Sequence, residues 1–167
     1  MLKIFLSIVV GLLLVGCGPD KKPKVRPSMF QTVSEDKATL VQSGKDKRYC
    51  VRCGMDLVKF YKTSHASTHE GTHYQYCSIH CLEEHLGEGI TLKNPKVVDL
   101  DSLKFISVGS AFYVVGSKKR GTMSRTSKYA FASKDLAQKF QKVYGGEIMD
   151  FNAAREIAQE DFKHYKN

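Results

Sequence analysis

The chain has 167 residues, 26 Lys and Arg against 17 Asp and Glu, a formal charge of +9, 42% hydrophobic residues and no Trp. That length suits one compact unit or two very small ones, and it excludes a large multidomain enzyme or a dinucleotide fold with a separate substrate domain. The apolar share can build a core and the charge is too scattered for a disordered polycation, so the reading turns on how five Cys and six His are partitioned.

Residues 1–16 begin with the basic Lys3 and continue as an apolar run over 4–15. The run is too short to span a bilayer and fits a secretory leader. Leu14-Val15-Gly16-Cys17 resembles a bacterial lipobox, in which a signal peptidase cuts before the Cys and the thiol is diacylated with palmitate-type chains. On this reading residues 1–16 are removed and Cys17 anchors the protein to a membrane, facing an extracytoplasmic compartment. Gly18, rather than Asp, after the anchor favours the outer membrane of a Gram-negative cell. Residues 17–48 are expected to be the lipidated Cys and a polar tether, with Pro19, Pro23 and Pro27 interleaved with Lys21, Lys22, Lys24 and Arg26. Proline stiffens such a segment and like charges extend it. Residues 31–48 show no periodicity that assigns them.

The rest of the chain repeats itself. Tyr74-Gln-Tyr-Cys-Ser78 aligns with Tyr129-Ala-Phe-Ala-Ser133, each a short strand running into a serine suited to cap a helix. Ile79, Leu82 and Leu86 follow the first serine at helical spacing and Gly87 closes the run. Leu136, Phe140 and Val143 follow the second, closed by Gly145-Gly146. Lys96-Val-Val-Asp99 and Glu147-Ile-Met-Asp150 read as the strands after each helix. The runs 57–61 and 111–115 read as the strands before each pair, and 152–165 as a closing helix with Ala154, Ile157, Ala158 and Phe162 on one side. The pattern is ββαβ twice, an α+β fold of two small related modules spanning 49–108 and 109–167. The stretch 64–72, rich in Ser, Thr and Gly and bearing His65 and His69, reads as a loop whose histidines, with His73 just beyond it, are by default surface residues, with a metal-ligand role for one of them left open; His80 and His85 fall on the first helix with Cys81 and are equally open.

The chemistry gathers in Cys50-Val-Arg-Cys53-Gly-Met55. A Cys-x-x-Cys pair can hold a disulfide, ligate zinc or bind a soft monovalent metal. Gly54 excludes c-type haem, and the pair lacks the strand-then-helix setting of a thioredoxin-like site. Cys77 and Cys81 could complete a four-thiolate zinc site. The repeat argues against that, because it aligns them with Ala132 and Leu136, expected to be buried apolar positions. Met55, two residues past Cys53, can project to the same side in extended chain, and thiolate with thioether is a set that selects Cu(I) over zinc. Met123 lies in Ser117-Lys-Lys-Arg-Gly-Thr-Met-Ser124, a basic turn-like segment that gives an apolar side chain nothing to pack on.

Cys53-Gly-Met55, Tyr76-Cys-Ser-Ile-His-Cys81 and above all Ala111-Phe-Tyr-Val-Val-Gly-Ser-Lys-Lys-Arg-Gly-Thr-Met123 resemble the NosL family, lipoprotein accessory proteins for nitrous oxide reductase. The resemblance covers about residues 49–151. It implies two ββαβ modules of the kind seen in organomercurial lyase. It also implies a periplasm-facing chaperone that carries Cu(I) toward the reductase's copper centres, in denitrification, with a membrane transporter and periplasmic assembly proteins as partners. The ligands carried over by motif are Cys53, Met55 and Met123, with Cys50 as a further candidate; Cys50, Cys77 and Cys81 are thiols beyond the family pattern. No nucleophile with its base, phosphate-binding glycine loop or carboxylate pair is visible, so no catalysis is expected. The positive charge suits an acidic partner rather than nucleic acid, which an exported protein would not meet. Zinc-stabilised and thiol-disulfide lipoproteins are the alternatives.

Overall fold

A computed structural model describes residues 29–165, with side chains described to residue 161; the leader, Cys17 and the start of the tether lie outside the described residues. Seven strands and three α-helices follow one another as β1 (His65–His69), β2 (Thr72–Tyr76), α1 (Ile79–Leu86), β3 (Lys93–Val98), β4 (Phe105–Ser107), β5 (Phe112–Val115), β6 (Lys128–Phe131), α2 (Lys134–Tyr144), β7 (Glu147–Met149) and α3 (Phe151–Tyr165). They form two small antiparallel sheets, ordered β2-β1-β3-β4 and β6-β5-β7. In each, the first strand of a ββαβ unit takes the second and third on its two sides. The chain is therefore α+β with the same topology used twice. No helix of the described residues is long and apolar enough to cross a membrane.

The second module follows the sequence pattern closely. In the first, the expected strand over 57–61 is absent. The Asp56 carboxylate accepts the N–H groups of Val58 (2.9 Å) and Lys59 (3.2 Å), which curls the chain into a turn and then a 3-10 turn at Tyr61–Thr63. The first strand is β1, in the stretch expected to be a loop. Glu70 and Gly71 both adopt positive φ (48° and 79°), the geometry of a two-residue hairpin turn, and bring His69 opposite Thr72. Threonines suit the pleated surface of the hairpin this turn closes. Neither Ser78 nor Ser133 makes the expected capping hydrogen bond. Residues 29–48, assigned to the tether, instead strap the globule: Gln31 Nε2 donates to the carbonyls of Arg120 (2.6 Å) and Gly121 (3.1 Å), and Gln75 Oε1 accepts from the Val41 N–H (2.9 Å). Buried side-chain amides need such partners, and supplying them fixes the strap in place.

The core runs between the modules. Ile79 of α1, Val97 of β3, Tyr113 and Val115 of β5, Ala130 of β6 and Ala154 and Ala158 of α3 form one buried cluster. Small residues let α3 approach closely, and its Arg155 and Gln159 bind Glu83 of α1. Asp99, at the end of β3, accepts the Ala132 N–H at 2.9 Å, and the Leu100 N–H reaches the Ala130 carbonyl at 2.8 Å, which joins the sheets. Asp150, its counterpart in the repeat, accepts the Ala153 N–H (2.9 Å) and caps α3 instead.

His65 is fully buried against Tyr113, with Nε2 3.1 Å from the Tyr113 hydroxyl and Nδ1 3.1 Å from the Thr63 carbonyl. Burial pushes its imidazolium from 6.5 down to about 4, so the folded protein holds it neutral. The unfolded chain binds this proton first as pH falls. The associated stability is complete above about 6.5 and is lost progressively toward about 4. Chemical denaturation between pH 7 and 4 should show a loss of up to about 3 kcal/mol from this group, and His65→Gln should flatten the slope.

Candidate metal centre

The sequence from Cys50 to Met55 closes on itself. The Cys50 N–H donates to the Met55 carbonyl (2.8 Å) and the Gly54 N–H to the Cys50 carbonyl (2.9 Å), between flanking residues Tyr49 and Asp56 that pair as an antiparallel bridge. Gly54 makes this reversal with φ of +71°, a conformation that costs a side-chain-bearing residue about 1–2 kcal/mol. The Val51 N–H donates to the Gln75 carbonyl (3.2 Å), fixing the knuckle to β2. Arg52 reaches the other way, to Glu84 of α1 (3.6 Å) and Glu88 just beyond it (3.1 Å). The knuckle is thus clamped onto the junction of β2 and α1.

That junction supplies Cys77 and Cys81, one helical turn apart. The four Sγ atoms of Cys50, Cys53, Cys77 and Cys81 all lie within 4.8 Å of one another. Cys77 is the hub: its Sγ is 3.5 Å from that of Cys53, 3.7 Å from that of Cys81 and 3.8 Å from Met55 Sδ. All four thiols are free; Cys50, Cys77 and Cys81 are buried while Cys53 faces solvent. Hydrogen bonds from Cys77 and Cys81 hold the Cys50 thiol far below its ordinary range. A hydrogen bond from Cys77 brings Cys53 down to about 7. The donors are pushed the opposite way, Cys77 by Cys50 and Cys53 and Cys81 chiefly by Cys50. Two of the thiols are thus biased toward thiolate and two toward thiol, in one group of soft donors.

Cys50, Cys53 and Met55, chosen from the sequence, are brought together here. The expectation that Cys77 and Cys81 are simply small buried hydrophobes captures their burial and misses their contacts. The repeat misleads because the equivalent positions are less enclosed: Ala132 is exposed and Leu136 is half-buried at the edge of the second module's core. The legible signal was the thiol count itself. Among the described residues no histidine enters the group: His69 Nδ1 bonds the Thr91 carbonyl (2.8 Å), His73 the Thr68 hydroxyl (3.1 Å), His85 the Tyr76 hydroxyl (2.8 Å), and His80 faces Asp161 (3.3 Å).

The sequence model of the NosL family matches residues 41–160, a span that takes in all four clustered thiols and both singled-out methionines. The chain belongs to the NosL family. Its fold is similar to the crystal structure of the copper chaperone NosL from Shewanella denitrificans, with a TM-score of 0.54 and 23% identity over 66% of this chain and 92% of that one. No curated protein matches.

Met123 of this NosL-family chain stands apart from the four thiols, in the second module. It is 43% exposed and adopts a left-handed backbone with φ of +61°. Its neighbours are tied down on both sides. The buried Thr122 hydroxyl is 2.7 Å from that of Thr63, which itself bonds the Cys77 carbonyl (2.8 Å). Ser124 and Thr126 donate to Asp161 at 2.5 and 3.3 Å, beside Lys128 at 2.8 Å. A left-handed backbone and a partly buried carboxylate hold the segment that presents this thioether to solvent.

Because Cys53 alone of the four is exposed and titrates near neutrality, iodoacetamide at pH 7 should label the reduced protein first at Cys53. Peptide mass mapping should find Cys50, Cys77 and Cys81 modified only after denaturation.

Proposed function

We propose that this protein is a Cu(I) chaperone, anchored through lipidated Cys17 to the periplasmic side of the outer membrane, that delivers copper for maturation of nitrous oxide reductase. The observation that carries this reading is the meeting of Met55 Sδ with the Cys77 thiol inside a cluster of free cysteines in a NosL-family chain. Thiolates suit zinc and copper alike, whereas a thioether in the same set favours Cu(I). The motif resemblance adds Met123 to the ligand set we propose, and the copper chaperone of similar fold supports the cargo.

The geometry suits hand-over. Cys53 is the solvent-facing edge of a site whose other thiols are buried, so an acceptor's soft ligand enters there first and the donor bonds leave afterwards. Copper stays Cu(I) throughout and no substrate bond is broken, which makes the role carriage rather than catalysis. The positive charge of the chain suits an acidic docking surface on the assembly machinery, a membrane transporter and its periplasmic partners.

Zinc is the competing reading, because a tetrahedral tetrathiolate site with Zn–S near 2.3 Å has sulfurs about 3.8 Å apart, close to the spacings here. Anaerobic competition of the reduced protein against a chromophoric Cu(I) ligand, run beside zinc, separates the two. Tight Cu(I) binding is expected, and the double variant Met55→Ala, Met123→Ala should weaken it about tenfold or more while leaving zinc affinity little changed. Unchanged Cu(I) affinity in that variant would exclude the thioether-containing site.

A further inference from the structure

We infer that the cluster holds two Cu(I) ions bridged by the Cys77 thiolate, rather than the single ion that a simple carrier site needs. The inference rests on the proposed Cu(I) function and adds its capacity. Five soft donors converge: Cys50, Cys53, Cys77 and Cys81, with Met55 in contact with Cys77. Cu(I) is satisfied by two or three ligands. One ion held at the exposed end by Cys53, Cys77 and Met55 would leave Cys50 and Cys81 buried with no cation to pair them.

Cys77 is placed to join two ions. Its sulfur lies 3.5 Å from that of Cys53, 3.7 Å from that of Cys81 and 3.8 Å from Met55 Sδ, so it is shared by both ends of the group. A thiolate has lone pairs for two metals, so the outer ion takes Cys53, Met55 and Cys77, and the inner one Cys77, Cys81 and Cys50. Two Cu(I) bring the same positive charge as one Zn(II), and the thioether selects the copper. On loading, each ion leaves its donor ligand, forms Cu–S bonds, and displaces remaining thiol protons to the buffer; no oxidation state changes.

The test is an anaerobic Cu(I) titration of the reduced full chain carrying Cys17→Ser, so that its thiol cannot contribute, with bicinchoninate as competitor and native mass spectrometry to count ions. Saturation at two Cu(I) per chain is expected, with the luminescence of a solvent-shielded Cu(I)–thiolate cluster appearing only as the second ion binds. Cys81→Ser should stop at one ion and abolish the luminescence. Saturation of the unsubstituted cluster at one tightly bound ion would overturn the inference and leave the copper function standing. Two ions whose second is indifferent to both Cys81→Ser and Cys77→Ser would also overturn it. Failure to bind Cu(I) tightly at all would remove both readings.

Discussion

Four cysteine sulfurs held in mutual contact without a disulfide are the constraint around which the first module is arranged. Thiolates repel and thiols gain little from one another, so the sulfurs do not assemble themselves; the backbone has to hold them. It does so with two rigid pieces. The knuckle from Cys50 to Met55 is closed by its own hydrogen bonds and by the left-handed Gly54, and the β2–α1 junction places Cys77 and Cys81 one turn apart. Arg52 binds the two together through Glu84 and Glu88. The site is thereby preorganised, and the cost of gathering soft ligands is met in folding rather than at the moment of metal binding.

The second module contributes position. Its ββαβ unit has no thiols, yet it closes over the first through a buried polar seam: Thr122 on Thr63, Tyr113 on His65, Arg155 on Glu83. Such groups are costly unless satisfied, and once satisfied they fix one relative placement of the modules. Along this seam the Met123 segment is tied to the carbonyl of Cys77, so the displayed thioether and the sulfur cluster belong to one connected framework. Duplication thus supplies a rigid second body on which the Met123 side chain is presented.

Much of the fold was legible. Helix periodicity and glycine stops located α1 and α2, and the recurrence of strand, serine and helix gave the repeated ββαβ order that the two sheets adopt. The failures are physical. A single Asp56 side chain, by taking two backbone N–H groups, turns an apolar run into a curl, and a Glu70-Gly71 turn makes strands of a sequence that looked like loop. Both are local hydrogen-bond choices that hydrophobic patterning does not register. The polar stretch 29–48 has no periodicity because it is anchored one side chain at a time, through Gln31 and Gln42 and onto Gln75.

The sequence by itself determined which chemistries were available: a soft Cys and Met ligand set, a knuckle with glycine at its turn, a repeated α+β module and the motifs of the NosL family. Only the tertiary structure decided which sulfurs meet. Spacing along the chain told that Cys77 and Cys81 are buried, as their repeat-mates were expected to be, but burial does not say what a side chain is buried against. That depends on where the Cys50–Met55 knuckle lands, and the landing is set by hydrogen bonds and ion pairs to β2 and α1 from residues about two dozen or more positions away. Contacts of that range are written in the fold and not in any window of sequence, which is why a pair of thiols read from the chain became a cluster of four.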